Sequence, residues 1–323
     1  MRRIATLFLS LLFLLPVWAK KPKAQPLPTE REQQFTYYWF AARQSIEQER
    51  YPEALQQLLF CEQLNPQDAT TKDYLGVIYN AIKQTDLAFD YFRQAYLLDP
   101  CDHWYHYALC LYKQDSKTAR KELLTVMQQA TRLNPKDANV WDYMRQAALV
   151  NGKYKQAIQA QDRIDQLQGY DGMSALNRYR IYLIEGKPKK AIAAIDDYLA
   201  LNPDDLQFLL FRADLLSAIG APTEQIMAEY EHILRIDPSN LLILNNYAYL
   251  LAISGGDLRK AEQMSQITIR EQPNNPTFLD TYAWILHLQG QDTLATFYIK
   301  KAMQNADPEN SKEIEQHLQE IVK

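Results

Sequence analysis

His103, His106 and Cys110 are the residues whose types and spacing most invite chemistry. In a helix running through CDHWYHYALC they fall at i, i+3 and i+7 on one face, and imidazole and thiolate are ligands that suit zinc. A metal-dependent enzyme would need that trio presented to an open site. The same face is the one a helix here must bury against its partner helix, so a packed structural patch is the expectation and no metal is assigned. Asp196 and Asp197 are adjacent on a helix and face different ways, which reads as solvated surface. The chain contains no phosphate-cradling glycine loop, GxSxG elbow or HExxH pair. Cys101 and Cys110 are nine residues apart, too far along a helix to bond, and with Cys61 they make no even disulfide framework. The sequence therefore predicts no catalytic residues, no cofactor and no enzyme activity.

Composition narrows the class further. With 47% hydrophobic residues, 21 tyrosines and only 9 glycines, the chain suits packed helices and not a disordered or glycine-rich all-β protein. Its 35 basic residues are outnumbered by 39 acidic ones, for a net charge of −4, which argues against nucleic acid as a partner.

The elements that must position any site repeat along the chain. Pro66, Pro100, Pro135, Pro203, Pro238, Pro273 and Pro308 are separated by 34, 35, 68, 35, 35 and 35 residues. The interval of 68 is two repeats of 34, with Gly169 to Gly172 (GYDG) breaking the helix where a proline is missing. Eight repeats follow, beginning near Phe35, Ala69, His103, Ala138, Gly172, Leu206, Leu241 and Pro276. Ala69 to Pro100 states the unit most fully. Counting Ala69 as position 1 places Leu75 at 7, Gly76 at 8, Tyr79 at 11, Ala88 at 20, Phe92 at 24, Ala95 at 27 and Pro100 at 32. Small residues at 8 and 20 let two antiparallel helices approach, large ones at 7, 11 and 24 fill the space between them, and proline stops the second helix. Position 20 recurs as Ala54, Ala88, Ala157, Ala191, Ala261 and Ala295, with Leu123 and Ile226 in the other two repeats. Position 8 departs from the rule in the middle of the array, at Arg145 and Tyr179, where looser packing or a hinge is expected.

This spacing resembles the tetratricopeptide repeat signature over about Phe35 to Asn310. The resemblance implies an all-α fold: a right-handed α-solenoid of about eight helix-turn-helix repeats over residues 29–310, closed by a capping helix over 311–323. Asn310 and Glu313 are the expected capping pair of that last helix, and Ile314, Leu318 and Ile321 its covering face. At the other end, Thr29 and Glu32 form a capping-box pattern. Before them, 20–28 reads as a Pro/Lys-rich linker. Met1 to Ala19, with Arg2, Arg3 and an apolar run from Ile4 to Leu15, reads as a signal peptide cleaved after Ala19. Export, most simply to a periplasm, is the implied location, and a membrane-tethered envelope subunit is the alternative if the leader is kept.

In the family, positions 2, 5, 6, 9, 12 and 13 of each first helix lie at or near a concave groove that holds partner proteins. A non-catalytic scaffold or assembly factor binding a peptide segment or helix is the function this implies. The inward positions of the first four repeats carry Trp39, Phe40, Arg43, Asp73, Tyr74, Trp104, Tyr107 and Tyr143, with Asn139, Asp142 and Gln146 among them. Rings and arginine amid hydrogen-bonding neighbours are the usual substance of binding hot spots. Trp39, Arg43, Asp73, Tyr74, Trp104, Tyr107 and Tyr143 are therefore the predicted partner-binding set. The Lys and Asn clamp with which some relatives grip a C-terminal carboxylate is missing from the first three repeats. A second group, Asn245, Tyr249, Asp280 and Trp284, occupies the same positions in the last two.

Overall fold

The computed structural model describes residues 29–114, 116–307 and 311–323. The expected leader, its cleavage point and the linker over 20–28 lie outside these residues, as does the Asn310 cap. Among the described residues there are seventeen helices and no strand. None of those helices is long and apolar enough to cross a membrane. The chain divides into two compact units after Tyr107.

The first unit contains α1 (Glu30–Glu47), α2 (Tyr51–Leu64), α3 (Ala69–Ala81), α4 (Thr85–Leu98) and the beginning of α5 (Trp104–Lys113). α1 starts as the capping box requires: Thr29 N–H donates to Glu32 Oε2 at 2.6 Å and Glu32 N–H returns a bond to Thr29 Oγ1 at 3.3 Å. α1 packs on α2, α2 on α3 and α3 on α4. The small-residue rule has a direct cause here. A Cβ on Gly76 would lie 2.6 Å from Cδ1 and Cε1 of Phe92, so position 8 is vacant because the position 24 ring of the second helix fills it. Ala42, Ala54 and Ala88 are at most 1% exposed, and Leu58, Leu75 and Ile78 pack with Ala42 and Ala54 in one cluster.

The second unit takes in the rest of α5, then α6 (Lys117–Leu133), α7 (Ala138–Val150), α8 (Tyr154–Gln168), α9 (Gly172–Ile184), α10 (Pro188–Leu199), α11 (Leu206–Ala218) and α12 (Thr223–Ile236). It ends with α13 (Leu241–Ile253), α14 (Leu258–Glu271), α15 (Pro276–Leu288), α16 (Asp292–Asn305) and α17 (Ser311–Ile321). From α6 onward each helix packs on the next, and alternate helices α13, α15 and α17 also touch. Ala157, Ala191, Ala261 and Ala295 are fully buried, and the larger Leu123 and Ile226 that stand in for them are buried too. GYDG behaves as a breaker: α8 ends at Gln168, Gly169 turns the chain at φ 97°, and Asp171 caps α9 by accepting from Ser174 N–H at 2.8 Å. The same device starts α3, α7, α11, α13 and α15, where Asp68, Asp137, Asp205, Asn240 and Asn275 accept from the first-turn amides.

Candidate partner-binding face

In the first unit, α1 and α3 bring three of the predicted residues, Trp39, Arg43 and Tyr74, together with Phe40. The rings of Trp39 and Tyr74 meet edge to face with centroids 6.0 Å apart, and Phe40 stands against Trp39 at 5.3 Å. Arg43, one turn beyond Trp39, sets its guanidinium 5.2 Å over the indole. Such a stack is held by the ring quadrupoles and by cation–π attraction, which orient the side chains without burying them. Phe40 is 60% exposed, so the cluster presents apolar surface that the described residues do not cover.

Asp73 is differently occupied. Its carboxylate accepts from His106 Nδ1–H at 2.9 Å, and His103 Nδ1 lies 3.9 Å away. His106 in turn stacks on Phe92 at 4.8 Å. Asp73 therefore joins consecutive repeats instead of offering a free charge. These two histidines are the pair that suggested zinc. Among the described residues, no group of three His, Cys, Asp or Glu is placed to hold a metal. The thiols of Cys61 and Cys110 are also poorly suited to nucleophilic work: burial pushes Cys61 up to about 11 and raises Cys110, and none of the three cysteines is in a disulfide.

Two expectations fail. Tyr107 is 1% exposed, wedged between Phe89 and Tyr96 of α4 with centroids 5.4 and 5.3 Å away, and Trp104 is 8% exposed. Both rings are buried, Tyr107 because the preceding second helix covers it, so neither is open to a partner.

In the second unit, Tyr143 lines a cavity of about 240 Å³ bounded by α7, α8 and α9. Asn139 and Asp142 share its wall, and Met173 and Asn177 face them from α9. The floor is a connected polar network. Buried Gln161 donates to Asp165 at 2.7 Å and accepts from Asn177 Nδ2 at 3.1 Å, while Ser174 Oγ–H donates to Asp165 at 2.7 Å. Arg178 clamps the network from α9, reaching Asp162 at 2.6 Å and also Asp165. Arg212 on α11 repeats the arrangement with Asp196 at 3.0 Å and Glu229 at 2.7 Å. Burial works against the charge of both guanidiniums, but the carboxylates bonded to them more than offset it, and both are raised. Sequence reasoning missed these arginines. They stand at position 7, where a large apolar residue was expected, and the carboxylates that make them welcome come from other helices.

The last two repeats are closed by α17. His317 Nδ1–H donates to both oxygens of Asp280 at 2.9 Å, and its ring stacks on Trp284 at 4.4 Å and lies 6.2 Å from Tyr249. Asn245 and Asp280 are 3% and 5% exposed. Tyr249, Asp280 and Trp284 of the second candidate group are thus engaged by the chain's own end.

A model of the tetratricopeptide repeat family matches residues 178–240. No curated protein matches the chain. Among solved structures, a chain of Naa15/Naa10 bound to HypK-THB is similar with a TM-score of 0.63 and 13% identity over 87% of this chain. This chain spans 46% of that one. The C-terminal part of a TPR repeat-containing protein from Cytophaga hutchinsonii is similar at 0.53 with 17% identity, over 76% of this chain and 98% of its own. At such identities the likeness is one of fold. It agrees with the residue spacing and with the seventeen helices among the described residues: residues 178–240 are tetratricopeptide repeat by the family model, and the described helices share the fold of tetratricopeptide repeat proteins.

Proposed function

We propose that the protein is a non-catalytic scaffold that holds a segment of a partner protein against the α1 and α3 face of its first unit. The observation that carries this reading is the Trp39, Phe40, Arg43 and Tyr74 cluster, whose rings are oriented by one another while Phe40 stays largely open to solvent. Exposed rings stabilise a folded monomer little, and their burial by a partner is worth a great deal. The fold supports this reading as well, since it offers a surface and leaves any function to the residues on it. The test is a Trp39→Ala, Phe40→Ala double variant assayed against a partner recovered from the protein's own host. Affinity should fall about thirty-fold or more, the equivalent of about 2 kcal/mol, with helicity unchanged. Retained affinity would remove the site from this face.

The leader supports a location. Met1 to Ala19 fits an export signal, and we read the working protein as one released outside the cytoplasm. Intact mass of the protein from its host decides it: a chain starting at Lys20 is expected, and one starting at Met1 would favour a membrane-tethered subunit instead.

A further inference from the structure

Asp73 and Asp280 hold the same place in their repeats, the fifth position of the first helix, and each is filled in the same way. Asp280 accepts from Nδ1–H of His317 with both oxygens at 2.9 Å, and Asp73 accepts from Nδ1–H of His106 at 2.9 and 3.0 Å. Each imidazole also lies on a ring: His317 on Trp284 at 4.4 Å with the planes 23° apart, His106 on Phe92 at 4.8 Å and 27°. His106 belongs to the first helix of the next repeat, so His317 places α17 on the eighth repeat as the start of α5 is placed on the second. An acid beside a ring, in both units, is a socket for a helix that carries a flat cation.

The socket at Asp280 is closed by a slight element. α17 is 11 residues long, and a helix shorter than about 12–15 residues is marginal by itself in water, so its helicity depends on docking. It docks through one stripe: Ile314 and Ile321 are buried, His317 lies between them on the same face, and Leu318 is half-buried. Lys312, Glu315, Gln316 and Gln319 are exposed. Asp280 beneath the stripe is 5% exposed, and a carboxylate so buried requires a cation.

We infer that the surface under α17 is a docking site for an amphipathic helix of a partner protein, and that α17 is the tethered occupant such a helix displaces. The partner helix carries an arginine where α17 has His317, with aliphatic residues three positions before it and four after. Arginine suits the socket better than imidazole does: it stays charged at any working pH, donates two parallel bonds to one carboxylate, and stacks on an indole. α17 competes at an effective concentration on the order of millimolar because it is tethered. A partner helix longer than α17 overcomes that advantage by holding its own helicity and burying more apolar area. This site is independent of the Trp39 face.

The probe is a fluorescent peptide of residues 311–323 carrying His317→Arg, compared with the same peptide carrying His317→Gln. Anisotropy titration against the full chain should show the arginine peptide binding at least tenfold tighter than the glutamine one, and hydrogen exchange in the chain's own α17 should rise as it binds. A full chain carrying His317→Gln has a weakened competitor and should take the arginine peptide about tenfold more tightly than wild type does. In a full chain carrying Asp280→Asn the two peptides should bind within about twofold of each other, through the apolar stripe alone. Equal binding of the two peptides to wild type overturns the inference, as does failure of the arginine peptide to bind either wild type or the His317→Gln chain. So does binding that leaves exchange in α17 unchanged, or a preference for arginine that survives Asp280→Asn with helicity intact.

Discussion

Gly76 has less room around it than any other glycine in the described chain. An added methyl would meet the Phe92 ring at 2.6 Å, inside contact distance, and the ring is itself pinned by His106 at 4.8 Å. Gly76→Ala should therefore destabilise the first unit by about 1–3 kcal/mol, read as a lower denaturant midpoint, even though alanine is the better helix former. Gly152→Ala makes an informative contrast, because nothing lies within 4 Å of its Cβ and the cost there comes from its φ of 65° alone. The small positions were legible in the sequence because close helix contact admits few residue types. Ring positions were less so. Register along a helix told which face Trp39 and Tyr107 share, but depth depends on what the neighbouring helix brings: Phe89 and Tyr96 close over Tyr107, whereas Phe40 is left open. Asp73 was likewise legible as an inward-facing polar residue, and its commitment to His106 was not.

Elements were easier to read than site residues. Proline spacing located the helix pairs, and Asp or Asn before the first helices supplied caps whose chemistry is local. The start of α1 followed from the Thr29 and Glu32 pattern. What α17 would sit on was not written locally. It packs on both α15 and α16, burying Ile314 and Ile321, and it inserts His317 between Asp280 and Trp284. Removing 311–323 should expose about 1.5–3 kcal/mol of apolar burial per lost core side chain, lower the thermal midpoint and promote aggregation. An unchanged midpoint would show that α17 covers nothing the chain needs covered.

α17 also carries a pH dependence. Burial opposes the charge on His317, but its hydrogen bond to Asp280 and the nearby charges of Asp280 and Glu313 prevail, so its pKa is raised. Tyr249 and Trp284 complete the surroundings and are uncharged near neutrality. A raised folded-state pKa means that the pairing stabilises fully below the ordinary imidazole value of about 6.5 and is lost as pH rises through the raised one. The difference in thermal midpoint between wild type and His317→Gln should thus be large at mildly acidic pH and shrink on the alkaline side. A difference independent of pH would mean that the imidazole contributes by stacking alone.

At the scale of the whole molecule, stability is a sum of repeats and the interfaces between neighbours. Ala88→Phe should overpack the α3 and α4 contact and open the first unit, with hydrogen exchange in α15 and α16 unchanged. The repeat count and fold class were plain from spacing alone. The arginine clamps were not, because the carboxylates that hold Arg178 and Arg212 come from neighbouring helices.

The central claim is that the first helices of the first unit bind a partner. Hydrogen exchange of the protein with and without its recovered partner tests it most directly. Protection is predicted in α1 and α3 around Trp39, Phe40 and Tyr74. Protection confined to α2 and α4, with α1 and α3 exchanging as in the free protein, would contradict it.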